Sequence, residues 1–546
     1  MVCGLGVRHK VFSRKGLRNL LKATGRAARC QRGWFDLPVC LCYVAAAFAA
    51  AVRFGPLNRD FTMSEALRRL PSLNRLLERR AVQKLLRNWS RDIVRGVARE
   101  ILQEQRESIR SSGDAPAESK LLRECEVRLL SRMKELEEPR LHRVINATGV
   151  LLHTNLGRAR MHKEVAAELA RVAVEPVQLE VELSSNRRGG RSSGAERWLT
   201  RLSGAGSAAV VNNGAAALWL AVRANARAGR SVIVSRGEQV AIGGSFRMPE
   251  LMRTTGAKML EVGTTNRTRA ADYADVAGEG DVVLKVHPSN YRITGFTEAV
   301  ELAELATICR ERGATLVFDA GSGSLYNFSR FGLSGEPSLA DLVSTGVDLI
   351  TCSADKLLSG PQAGLILGSR ELVDRCRSHP LMRALRLDKT ILAGLEATLL
   401  RYARTPAGAR PDLPLFDALA VKVTELRKRA RVLAAACAPA LDARSAAGWS
   451  SAVHASTASM GAGSFADDEL QSVVLEITAP DRRVAGALHR ALRSARPAVL
   501  ARIDDERVSL DLRAVDPGEL DELAEVLVAT LQQMPGAERA TGKEAR

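Results

Sequence analysis

Between Val144 and Thr405 short apolar runs alternate with helical stretches, and this alternation narrows the possible folds more than any other feature of the chain. The runs are "AAVV" (208–211), "VIV" (232–234), "VVLKV" (282–286), "TLVF" (315–318), "LITC" (349–352) and "LIL" (365–367). Helical stretches such as "AAALWLAVRANA" and "EAVELAELATICRERG" separate most of them. Strands that are apolar throughout are covered on both faces, and repeated βα units build a parallel sheet. The fold class predicted is α/β, with a mostly parallel, doubly wound sheet in a large domain over 144–405. From about Thr405 helices precede "SVVLEI" and "RVSLDL", which predicts a small C-terminal α+β domain over 406–535. The polar residues 536–546 read as a flexible tail.

Upstream the texture differs. Residues 63–143 are helical in pattern and nearly free of glycine, with apolar residues at helical spacing and 19 Lys/Arg against 13 Asp/Glu. A solvated amphipathic bundle satisfies that pattern, and so does an arm that grips nucleic acid. Residues 1–62 hold 11 Lys/Arg against 2 Asp/Glu and lead into "LPVCLCYVAAAFAAAV", 16 uncharged residues from Leu37 to Val52. The stretch is short for a membrane span, and its basic leader is long for a signal peptide. It reads either as an anchor or as upstream sequence translated through an over-extended start. We take the second reading, in which residues 1–62 are no part of the fold, Met63 is a natural beginning and no membrane is involved.

Charge and cysteines bound the function further. The net charge is +19, and +10 remains without residues 1–62, so a polyanionic partner is expected. Nine cysteines lie scattered with no CxxC pair, which argues against a disulfide framework or a zinc site. No metal is expected, and a reducing, cytoplasmic setting fits.

The stretch "DLITCSADKLLSGPQAGLILG" places Lys356 between two of the buried strands. Ligands of open α/β sheets bind outside the carboxyl ends of the strands, which is where Lys356 falls. A desolvated lysine there becomes a nucleophile, and pyridoxal phosphate (PLP) is the cofactor that most often uses one. PLP also needs an acid facing its ring nitrogen, a phosphate cup and a group that orients its phenolic oxygen. "TLVFDAGSGSL" offers Asp319 at a strand end, 37 residues before the lysine. "VVNNGAAALWL" ends a strand and opens a helix at Asn212, Asn213 and Gly214, where N–H groups and the helix dipole favour a phosphate. Asn290 in "VHPSNY" is placed to reach the phenolic oxygen, and Ser353 completes the cofactor-binding set. A surface turn explains any one of these residues; their order and spacing together favour a PLP site.

The motifs "RVINATGVLLHTNLGRA", "VSRGEQVAIGGSFRMPE", "EVGTTNRT", "LKVHPSNYRITGF", "DAGSGSL", "SADKLLSGPQAG" and "PLMRALRLDK" together resemble bacterial selenocysteine synthase, the L-seryl-tRNA(Sec) selenium transferase family, PLP-dependent enzymes of fold type I. The resemblance is dense from about Met63 to Thr405, looser in the C-terminal domain and absent over 1–62. It implies that Lys356 carries the cofactor as a Schiff base, with Asp355 as its catalytic neighbour. It implies that Arg158, Arg383 and Arg386 surround the incoming anion. For 63–143 it implies a tRNA-binding domain, and for the whole a homo-oligomeric ring of dimers. The reaction implied converts L-seryl-tRNA(Sec) to L-selenocysteinyl-tRNA(Sec) with selenophosphate as donor. A related PLP lyase acting on a small amino or sugar acid is the rival reading, though it gives no reason for the Arg-rich N-terminal domain. An RNA-binding scaffold on an inactive PLP fold is a second rival.

The chain departs from the family pattern in places. "NNNAAA" becomes "NNGAAA" at Gly214, "GELVEIGG" becomes "GEQVAIGG" at Ala241, and "SGDKLLGG" becomes "SADKLLSG" at Ala354 and Ser359. The last two replace glycines and strain the turn wherever a positive φ is required. Arg383 and Arg386, three residues apart, are expected to share a helix face and fork onto one anion, with Asp388 as the nearest competing carboxylate.

Overall fold

The computed structural model describes residues 65–242 and 246–534. The expectations for residues 1–62, for Met63 as a start and for the tail at 536–546 fall outside the described residues. The described residues fall into two compact units, divided between Arg140 and Leu141.

The first unit contains the helices Leu73–Leu77, Arg80–Asn88, Arg91–Ser112 and Glu118–Glu137. Val94, Val97, Ala98, Ile101 and Leu102 recur at helical spacing and pack with Leu76, Val82, Cys125, Leu129 and Met133. Arg80, Arg87, Arg91 and Arg99, set between the apolar positions, are left exposed. Gly113, at φ 75°, ends the long helix inside the "SSGDAPAES" loop.

In the second unit a seven-stranded sheet holds β1 (Ser207–Val211), β2 (Ser231–Ser235), β3 (Lys258–Val262), β4 (Val282–Val286), β5 (Thr315–Gly321), β6 (Leu349–Ser353) and β7 (Gly364–Gly368). Their spatial order is β1-β7-β6-β5-β4-β2-β3. Neighbours are parallel except for β7, which runs antiparallel to both β6 and β1. The period of two divides the side chains between two cores. Ala208, Val210, Ile233, Val283, Leu316, Phe318 and Ile350 face one layer, whereas Ala209, Val211, Val232, Val282, Leu284, Val317 and Leu349 face the other. The sheet is thus mostly parallel, as the apolar runs predict. β3 had no such run because it is an edge strand that leaves Lys258 and Glu261 exposed.

A five-stranded sheet follows the order Val144–Ala147, Ala498–Asp504, Arg507–Asp511, Ser464–Thr478, Ser450–Gly461. The chain therefore enters through this small sheet, with Val144 paired to Ala498, before it builds the large one. The turn of the long hairpin reaches back to the large sheet. Ser464 and Ser322, in the loop after β5, share a buried hydroxyl hydrogen bond of 2.6 Å, and Phe465 joins the core of the large sheet. Among the described residues no helix is long and apolar enough to cross a membrane.

Candidate active site

Parallel pairing puts the carboxyl ends of β1, β5 and β6 along one edge of the sheet. At the start of β7, Gly364 is paired with both Val211 of β1 and Ser353 of β6. The ends of β1 and β6 are therefore two strand spacings apart, roughly 10 Å. A Cβ at Gly364 would collide with the Asn213 carbonyl, so this close approach requires glycine.

Lys356 follows β6 in a tight turn and is only 5% exposed. Burial, reinforced by the nearby Arg158 cation, holds its ammonium below the usual lysine range, against the pull of Asp319, Asp355 and Glu336. The amine is thereby biased toward the neutral, nucleophilic form. The turn is strained at one of its two unusual residues. Ser359 sits at φ 58°, fully buried, with no hydrogen-bond partner for its hydroxyl. Ala354 is not among the positive-φ residues, so the strain expected of both departures falls on Ser359 alone.

The helix Gly214–Asn225 opens directly after β1. Asn213 caps it by accepting from the Ala216 N–H at 2.8 Å. The N–H groups of Gly214 and Ala215 are left with no partner among the described residues. Gly214 abuts Ser353, and a Cβ there would collide with the Ser353 hydroxyl. The glycine in "NNGAAA" thus brings the helix start and Ser353 into contact. Asn212 adds a buried side-chain oxygen with no partner.

Asp319, on β5, accepts from Thr351 Oγ1 at 3.0 Å and from the Gly321 N–H at 3.3 Å. Burial pushes its carboxyl above the usual range, offset only in part by these hydrogen bonds and by the Lys356 cation. Asn290 donates from Nδ2 to the Ala241 carbonyl at 3.1 Å, while its Oδ1 is buried without a partner. A group bearing a phosphate, a protonatable ring nitrogen and an aldehyde fits this set. The unpaired N–H groups and Ser353 would take the phosphate, Asp319 the ring nitrogen and Lys356 the aldehyde. The orphaned oxygens of Asn212 and Asn290 are polar atoms that such a ligand can satisfy.

Arg158, also in a left-handed conformation at φ 64°, donates to Asp355 Oδ2 at 2.7 Å. Arg383 and Arg386 line a separate cleft of about 550 Å³. They do not share a helix face, because the helix there spans only Met382–Leu385 and Arg386 follows it in extended backbone (φ −66°, ψ 144°). Asp388 does not compete for them: it caps the next helix, accepting from the Thr390 and Ile391 N–H groups. The carboxylate that reaches Arg386 is Glu180, at 3.7 Å. The cleft adjoins the cofactor edge, since Leu385 accepts from the Asn212 N–H at 3.0 Å.

Sequence reasoning missed Glu336. Its carboxylate lines a cavity of about 540 Å³ at the carboxyl ends of β2 and β4, together with Lys285, His287, Ser289 and Phe465. Burial pushes its pKa up to about 7, partly offset by the Phe465 N–H and by Lys356. His287 bonds through Nε2 to the Gly335 carbonyl at 2.9 Å and turns Nδ1 toward Glu336 at 3.9 Å. Only the "GEP" turn marks Glu336 in the sequence, and it gives no hint of depth.

Comparison with known proteins matches the model of the L-seryl-tRNA selenium transferase family over residues 144–516. The chain belongs to that family. An L-seryl-tRNA(Sec) selenium transferase of Moorella thermoacetica is 42% identical over 85% of this chain and 97% of its own length. Another, from Hyphomonas neptunium, is 40% identical over 85% of this chain and 98% of its own length. Among solved structures, a D-glucosaminate-6-phosphate ammonia-lyase aligns with a TM-score of 0.51 at 19% identity, covering 74% of this chain and 98% of that one. At that identity the likeness speaks to fold alone. As a selenium transferase of this family, the chain has the fold of type I PLP-dependent enzymes and takes PLP as its cofactor.

Proposed function

We propose that the protein converts L-seryl-tRNA(Sec) to L-selenocysteinyl-tRNA(Sec) with selenium from selenophosphate, by β-elimination of water followed by addition. The observation that carries this reading is Lys356. It is buried, biased toward its neutral form and set on the same sheet edge as Asp319 and the open helix start at Asn213.

PLP, when bound, supplies an electron sink for the bond electrons released at the seryl Cα. The residues of the chain do the rest. Asp319 keeps a proton on the ring nitrogen, which its burial favours by penalising an unpaired carboxylate. Lys356, with its amine free, would take the Cα proton as a base, and depression of its pKa favours the neutral form that this role needs. The Gly214 and Ala215 N–H groups with Ser353 anchor the phosphate end. Arg158 and Asp355 fix each other beside the lysine. The β-hydroxyl leaves as water, Arg383 and Arg386 capture the anionic selenium donor and hold the phosphate released when its P–Se bond is hydrolysed, and as the C–Se bond forms a proton returns to Cα from Lys356.

The Arg-rich helical unit serves as the tRNA-binding domain, with Arg80, Arg87, Arg91 and Arg99 among its exposed cations. The protein works in the cytoplasm as a homo-oligomer built of dimers. The test is selenium transfer by purified protein to seryl-tRNA(Sec) compared with free serine. Transfer to the charged tRNA alone supports the reading; equal conversion of free serine, or elimination from a small amino or sugar acid instead, overturns it.

A further inference from the structure

Three arginines from two separate segments converge on one carboxylate. Arg191 approaches Glu180 Oε1 with Nε at 2.9 Å and Nη2 at 2.7 Å. Arg386 Nη1 stands 3.7 Å from the same oxygen, and Arg188 Nη2 is 3.4 Å from Oε2. All of them line the cleft that also holds Arg383. Arg383 has no ion-pair partner among the described residues, whereas Arg377, on the same wall, is already matched to Glu196 and Asp374. Four guanidinium groups thus face a single carboxylate. The surplus of positive charge suits a multiply charged tetrahedral anion.

We propose that Glu180 is the internal counter-anion of this cleft, occupying the position of the incoming phosphate-class anion until that anion displaces it. The inference rests on the reading of Arg383 and Arg386 as the donor site. Glu180 precedes a two-stranded ribbon, Val181–Glu182 with Arg187–Arg188, and its side chain is 34% exposed. It can therefore swing into water without leaving a buried charge behind. The Arg188 and Arg386 pairs are exposed, individually weak and readily exchanged, while Arg191, 21% exposed, keeps a backbone carbonyl partner when the carboxylate leaves. Arg191, first among them, holds the carboxyl below its usual range, so the group stays ionised and competes throughout the neutral pH range. Arg191 also donates from Nη1 to the Leu387 carbonyl at 3.0 Å. It thereby joins the ribbon to the segment that carries Arg383 and Arg386. Displacement of Glu180 frees guanidinium groups that are already positioned, and it gives selectivity: a singly charged anion replaces Glu180 with no gain in charge, whereas a doubly charged one gains.

A competitor and a positioning residue predict opposite signs. Binding of inorganic thiophosphate to the PLP-loaded full chain is measured by calorimetry for wild type, Glu180→Gln and Glu180→Asp, with PLP absorbance as the check on folding. Loss of the competing charge should tighten binding about fivefold in Glu180→Gln, the sum of three weak pairs, while Glu180→Asp, which keeps the charge, should bind no tighter than wild type. Weaker or unchanged binding in Glu180→Gln overturns the proposal while leaving the donor-site reading in place. Absence of thiophosphate binding in all three proteins removes the donor-site reading, and this inference with it.

Discussion

Arg158 Nη1 lies 2.7 Å from Asp355 Oδ2, and Asp355 is the residue immediately before Lys356. The pair spans 197 positions of sequence and clamps the turn that carries the lysine. A second link, from the Ala159 N–H to the Asp355 carbonyl at 3.2 Å, fixes the backbones together. The clamp sets both the position of the lysine and its charge.

Arg158→Ala should therefore raise the pKa of Lys356. The Arg158 cation lowers it in the intact protein, whereas Asp319, Asp355 and Glu336 raise it. With the cation gone, less of the lysine is neutral at a given pH. Protein stripped of PLP should reload more slowly near pH 7 and recover its rate at higher pH. A reloading profile that does not move along the pH axis refutes this role for Arg158.

Ser359→Gly should stabilise the protein by about 1 kcal/mol. A left-handed non-glycine residue costs roughly 1–2 kcal/mol, and the buried Ser359 hydroxyl has no partner. Against this stands the greater freedom of glycine in the unfolded chain, roughly 0.5–1 kcal/mol. Urea unfolding of both proteins measures the difference, and a destabilised variant would show that the serine relieves more strain than it creates.

Glu336→Gln should flatten the dependence of stability on pH. The carboxyl titrates near 7 in the fold against a reference value of 4.5, so the fold favours its protonated form. That contribution is whole below about pH 4.5 and is lost as pH rises through about 7, a change of at most ~3 kcal/mol. Glutamine keeps the shape and drops the titration. Wild type should lose more stability than the variant between pH 5 and pH 8; parallel losses would contradict the burial-driven shift.

Deletion of the helical unit through residue 140 should spare PLP binding and weaken tRNA binding strongly. Wild-type affinity should fall with salt at a log–log slope of about 0.7 to 0.9 per phosphate contacted. Filter binding across a salt series checks both. Equal tRNA affinity with and without the unit would remove it from the RNA interface.

Much of the large sheet and its cofactor edge was legible in the sequence, because each piece is local. Asp319 ends an apolar run, Asn213 stands where a run gives way to a helix, and Lys356 follows another run by three residues. The rest depends on pairings that no local pattern announces. Val144–Ala147, interrupted by Asn146, is not among the apolar runs, and its partner is Ala498–Ala501, more than 350 residues on. Glu180 and Glu336 look like ordinary surface carboxylates until the fold brings arginines to one and buries the other. Spacing misled at Arg383 and Arg386, where a three-residue interval suggested a helix that stops one residue short of Arg386.

Peptide mapping after borohydride reduction of the PLP-loaded protein tests the central assignment most directly. Reduction should fix the pyridoxyl group on the peptide containing Lys356, and Lys356→Ala should yield a folded protein with no modified peptide and no selenium transfer. A pyridoxyl group on another lysine of the wild-type protein, or undiminished transfer by Lys356→Ala, would contradict it.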